Sequence, residues 1–204
     1  MTVTAPGGRR IRTELTISGT MMVHASYRGF TLFEWLITAA VVAVVFAMST
    51  PAMIQFVARN RIAGAAEVLA NNLKLARSES SRRGAPVYVR FQPGADWCSG
   101  LHESAECDCT VMDAYADNAC TLTFSSARSM HTVTANDYPG VELTTTSFFR
   151  DTTAFDPVRG TARPGTLRLQ GRRGAELRVI VSLLGRVRIC AVRGFGANAR
   201  YTPC

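Results

Sequence analysis

Gly29-Phe30-Thr31-Leu32-Phe33-Glu34, followed by the run from Trp35 to Phe56 without a charged side chain, decides how this chain reads. About 20 consecutive apolar residues suffice to cross a bilayer as a helix. Glu34 is the anomaly: an ionisable group at the front edge of a span is costly in lipid and marks a functional position, unless it rests among headgroups. A secretory signal would carry its apolar region first and a small-residue cleavage site after it. Here the order is reversed, with a polar stretch containing Arg9, Arg10, Arg12 and Arg28 ahead of the run. Met21 or Met22 would open a short basic segment ending at Gly29, which leaves the start of translation open between Met1 and these positions. By the positive-inside rule that basic segment stays in the cytoplasm and everything after Arg59 lies on the other side.

Beyond the apolar run the pattern turns amphipathic. Ile62, Ala65, Ala66, Leu69, Leu73 and Ala76 recur at spacings of three and four, the signature of a helix lying on a core. Arg82 and Arg83 suit the negative end of its dipole, and Gly84 with Pro86 closes it. A single helix from Thr31 to Arg83 would be roughly 75 to 80 Å long, with Pro51 expected to bend or loosen the turn before it. After it come short, β-branched segments bounded by Gly, Pro, Asp or Ser: Val87 to Phe91, Cys120 to Phe124, Thr132 to Thr134, Val141 to Thr145, Thr166 to Leu169, Leu177 to Val181 and Arg186 to Ala191. The expected fold class is α+β, a long N-terminal transmembrane and amphipathic helix packed on an antiparallel β-sheet head. No internal repeat or low-complexity linker divides that head.

The 204 residues allow one ordinary domain plus an appendage. The formal charge of +8 rests on arginine, for Lys74 is the only lysine. It is unevenly placed. Between Phe91 and Pro157 ten carboxylates face only Arg128 and Arg150, whereas from Arg159 onward ten arginines face only Glu176. The two stretches are expected to neutralise each other within the fold or along an assembly. All six cysteines follow the apolar run, which points to disulfides in an oxidising compartment. Cys107-Asp108-Cys109 is too close for finger spacing and lacks a suitably placed histidine, so no metal is expected. Cys190 with Cys204 is the favoured pair. Cys98, Cys107, Cys109 and Cys120 then leave three connectivities open.

The segment from Gly29 to Glu34 resembles the cleavage motif of type IV prepilins and type II secretion pseudopilins. That resemblance implies cutting after Gly29 by a prepilin peptidase, methylation of the new terminus at Phe30, and a role for Glu34 in assembly, pairing with the terminal ammonium of a neighbouring subunit. It implies a leader at 1–29, the transmembrane half of the helix at 30–57, its amphipathic half at 58–84 and a periplasmic GspH-like head at 85–204. Leu75-Ala76-Arg77-Ser78-Glu79, Phe155-Asp156-Pro157-Val158-Arg159-Gly160-Thr161 and Gly185-Arg186-Val187-Arg188-Ile189-Cys190 together resemble the GspH/FimT group, and Trp97-Cys98 with Cys107-Asp108-Cys109 is similar to its FimU-like minor pilins. The implied fold is type IV pilin-like. The implied setting is a single pass through the cell inner membrane, with assembly beside other minor pilins or pseudopilins and the major pilin in a surface filament. The motifs are shared by type IV pili and the type II secretion pseudopilus, and the cysteine-rich loop favours the pilus.

Enzymatic readings fail on inventory. The histidines are His24, His102 and His131, no serine or cysteine sits in a nucleophile motif, and no glycine loop could cradle phosphate. No cofactor is implied. His102 beside Glu103 reads as an exposed loop histidine. The alternative function is DNA binding. On a strand from Arg186 to Ala191, Arg186 and Arg188 share a face about 6.6 Å apart, with Val187 and Ile189 toward the core. Guanidinium pairs hold phosphate bidentately without reading sequence, and a Gly-Arg-x-Arg motif near the C-terminus resembles that of FimT-type DNA-uptake pilins. Arg178, Arg193 and Arg200 would widen the patch.

Overall fold

The computed structural model describes residues 31–104, 106–124, 127–195 and 200–204, without the side chains of 48–52. The proposed leader, Gly29 and Phe30 lie outside the described residues. Two compact units divide the chain, Met1–Val44 and Val45–Cys204.

Helix α1, Leu32–Arg83, continues through Pro51. Its entry is capped: the Glu34 N–H donates to Thr31 Oγ1 at 3.2 Å, half of the reciprocal Thr-x-x-Glu capping arrangement. The residues from Leu32 to Ala47 are exposed. Among the described residues no helix is long and apolar enough to cross a membrane; the expected span from Trp35 to Phe56 contains the five positions whose side chains are not described. Further along, Ile62, Ala65, Ala66, Leu69, Leu73 and Ala76 are all buried, as their spacing requires, and Ala70 joins them. Gly84, at φ 66°, ends the helix in the left-handed conformation that lacks a steric penalty only for glycine.

Among the described residues ten strands follow, in three antiparallel sheets: β1 (Val87–Gln92), β2 (Cys98–His102), β3 (Thr121–Phe124), β4 (Ala127–Met130), β5 (Thr132–Thr134), β6 (Val141–Thr146), β7 (Thr152–Phe155), β8 (Gly165–Gly171), β9 (Glu176–Val181) and β10 (Val187–Arg193). The first sheet has the order β5-β2-β1-β7 and the second β10-β9-β8-β6, while β3 and β4 form a separate hairpin. The antiparallel head expected from sequence is thus built of three sheets. Strands β2, β4 and β7 were missing from the expected set because Ser-Gly, Ala-Arg-Ser and Thr-Thr-Ala stretches lack the alternating apolar pattern; cross-strand pairing and disulfides hold them instead.

One core joins these layers. Val87, Val89 and Phe91 of β1, Leu167 and Leu169 of β8, and Leu177, Val179 and Val181 of β9 bury their side chains in the same cluster as the inward stripe of α1. Each fully buried aliphatic side chain contributes about 1.5–3 kcal/mol. Trp97 is completely buried and its indole N–H donates to the Val141 carbonyl at 2.8 Å, satisfying the polar edge of a large apolar group. Disulfides Cys98–Cys109 and Cys107–Cys120 fasten the long loop between β2 and β3, resolving the connectivity left open above. A third, Cys190–Cys204, ties the end of the chain to β10. There Ala191 N–H donates to Thr202 O at 2.9 Å and Cys204 N–H to Ala191 O at 3.1 Å, covering that half of the β10 edge.

Candidate functional site

The first candidate region is the start of α1. Glu34 is exposed in its first turn, flanked by the exposed apolar side chains of Leu32, Phe33 and Trp35. An acid in the first turn is favoured by the positive end of the helix dipole. The Thr31-x-x-Glu34 cap was readable as a sequence signature but was not anticipated.

The second region is the point where three sequence segments converge. Arg77, from the last third of α1, donates through Nη1 to the Gly185 carbonyl at 3.2 Å. Gly160 lies beside the same guanidinium, and a Cβ on Gly185 would collide with the Gly160 carbonyl. Gly185 also has φ 70°, so both space and backbone conformation require glycine here. The Asp156 turn is held by Val158 and Arg159 N–H groups donating to Asp156 Oδ1 at 2.9 and 2.6 Å. These donors, Arg159 foremost, hold the Asp156 carboxyl below its usual range. Ala162 N–H donates to Leu183 O at 3.0 Å, joining this turn to the β9–β10 hairpin. The helix end, the Phe155 to Thr161 segment and the Gly185 hairpin are therefore one structural unit.

Beyond that joint lies the basic face. The strand begins at Val187 rather than Arg186; Arg186 is in the exit of the turn, where its N–H donates to Ser182 Oγ at 3.1 Å. Arg186 and Arg188 are exposed, and Val187 and Ile189 are half-buried against the core. Arg178 and Arg193 are committed elsewhere: with Arg168 they surround Glu176, at 3.3, 3.5 and 3.2 Å. Glu176, buried on the outer row of β9, thus draws three arginines together, its single carboxylate offsetting one of their three charges. Arg200 is likewise paired, at 3.0 Å from Glu67, whose carboxylate also accepts the Tyr201 hydroxyl at 2.6 Å. Burial first, then that carboxylate, pushes the Tyr201 hydroxyl up to about 12.

In the last turn of α1, Glu79 binds Arg82 and Arg83 at 2.6 and 3.0 Å, and Arg83 reaches Glu103 at 2.6 Å. Hydrogen bonding from Arg82 holds Glu79 below its ordinary value, and the Thr123 N–H does the same for Glu103 with help from Arg83. His102 closes β2, half-buried, its Nδ1 accepting the Ser104 N–H at 2.8 Å. All six cysteine sulfurs are in disulfides.

The chain matches the type II transport protein GspH family over residues 65–185, more than half its length. It belongs to that family. Residues 24–50 match the prokaryotic N-terminal methylation motif, a span that contains Gly29, Phe30 and Glu34. No curated protein and no solved structure matches. The GspH match begins on the buried stripe of α1 and ends at Gly185, so it covers the core and the Arg77–Gly160–Gly185 joint. The chain is a pilin or pseudopilin subunit, and its family comprises structural subunits rather than enzymes. Such subunits meet a prepilin peptidase and other pilins.

Proposed function

We propose that this GspH-family chain is a minor pilin or pseudopilin that joins a tip or initiation complex for filament assembly. It is cut after Gly29, methylated at Phe30 and anchored by a single inner-membrane pass, with the head at 85–204 on the periplasmic side. The observation that carries the reading is the methylation motif over residues 24–50 combined with the exposed Glu34 in the first turn of α1. In this reading Glu34 pairs with the terminal ammonium of a neighbouring subunit, and removing one partner would leave the other charge buried and unpaired. Glu34→Ala makes the segment more apolar, so membrane insertion is expected to persist while recovery in sheared filaments falls sharply. Normal incorporation of that variant would sink the pairing role.

A second reading is DNA binding. It is favoured by Arg186 and Arg188 being exposed and, among the described residues, outside every ion pair. Binding through two such groups would be electrostatic and would weaken between about 50 and 200 mM salt. Gel shifts comparing the full chain with its R186Q/R188Q variant test it: equal retardation of both would remove the arginines from the account.

A further inference from the structure

Two grooves flank α1 near the base of the head. One, of about 420 Å³, is lined by Met53, Ile54, Val57, Arg61, Arg172 and Arg173 among others. The other, of about 180 Å³, brings Arg59 to the same Arg172 and Arg173. No carboxylate lines either groove. Among the described residues none of these four arginines is in an ion pair. The collar is built rather than incidental. Arg61 Nη1 donates to Pro139 O at 3.3 Å and Arg172 N–H to Gly140 O at 3.1 Å, fixing the two sides of the larger groove. Arg173 has φ 68°, a left-handed conformation that costs a non-glycine residue about 1–2 kcal/mol.

We propose that this collar binds the phosphate of an anionic phospholipid. The inference rests on the reading of α1 as membrane-anchored. Guanidinium groups match phosphate oxygens bidentately, and the same groove presents apolar surface, with Met53 63% exposed. A phospholipid brings phosphate and acyl chain together; free phosphate or a nucleic-acid backbone would leave Met53, Ile54 and Val57 uncovered. Arg59 is the first charged residue after the run from Trp35 to Phe56, placing the collar where that apolar stretch ends. The site would seat the base of the head on the bilayer surface before the subunit is drawn into a filament.

The test uses the full chain reconstituted in phosphatidylcholine vesicles containing trace spin-labelled phosphatidylglycerol or phosphatidylcholine. Carbonate resistance checks the membrane reading separately. The expected result is an inserted chain that selects phosphatidylglycerol about fivefold over phosphatidylcholine, with R61Q/R172Q/R173Q selecting neither. R59Q/R173Q, which alters two exposed side chains without hydrogen bonds among the described residues, is expected to lose most of the selectivity while leaving the fold intact. A carbonate-extractable chain would overturn the membrane reading and this one with it. An inserted chain without selectivity, or with selectivity unchanged in both variants, would overturn the lipid site alone. Displacement of the labelled lipid by equimolar inorganic phosphate or a short DNA duplex would also overturn it, assigning the collar to that other ligand.

Discussion

At the scale of single residues, the joint at Gly185 is the most demanding position in the head. Its carbonyl accepts from Arg77, its α-carbon faces the Gly160 carbonyl, and its φ is 70°. Gly185→Val adds a β-branched side chain where neither space nor backbone conformation accepts one, and is expected to cost about 2–4 kcal/mol through left-handed strain and overpacking. Urea unfolding of the purified chain measures this, and an unchanged midpoint would show that the turn can open without loss. The same residues explain why Gly-Arg-x-Arg was hard to interpret from sequence. Its glycine is required by the fold, so the motif cannot be read as a ligand signature alone, while Arg186 and Arg188 have no such structural demand upon them.

At the scale of elements, the end of α1 carries a pH response. Glu79 and Glu103 are both held below the ordinary value of 4.5, by Arg82 and by the Thr123 N–H respectively. A carboxyl depressed in the folded state contributes stability that is fully present above 4.5 and is lost as pH falls through the lower folded value. Lowering pH from about 6 to about 3 is therefore expected to reduce the urea midpoint, and less so in E79Q/E103Q. Equal acid sensitivity in the two proteins would place the response elsewhere. The stripe from Ile62 to Ala76 and the helix end at Gly84 were legible because helical spacing and glycine chemistry are local. Strands β2, β4 and β7 were not, since their residues gain strand conformation only by pairing with β1 and β3 or through the cysteine bridges. The cluster at Glu176 was not legible for the same reason: the sequence placed a lone Glu176 among many arginines without revealing that the β8–β9–β10 register gathers Arg168, Arg178 and Arg193 around it.

At the scale of the whole molecule, the Cys190–Cys204 bridge fastens the chain end to β10, while Tyr201 and Arg200 of that end hold Glu67 on α1. The bridge closes a loop of sequence separation 14, for which chain-entropy arguments give about 3 kcal/mol. C190S/C204S is expected to lose a stability of that order and to exchange the amide hydrogens at positions 191 and 204 faster; unchanged protection would mean that the tail is held by its contacts with Glu67 alone. The family match ties the core and the Arg77–Gly160–Gly185 joint to a pilin or pseudopilin subunit, and the methylation motif covers the beginning of α1, where the proposed function places processing and assembly. Mass spectrometry of the N-terminus of this chain recovered from sheared filaments tests that account most directly. The expected terminus is N-methylated Phe30, with Glu34 the fifth residue of the mature chain; filament-borne chain that retains residues ahead of Phe30, or an unmodified terminus elsewhere, would contradict it.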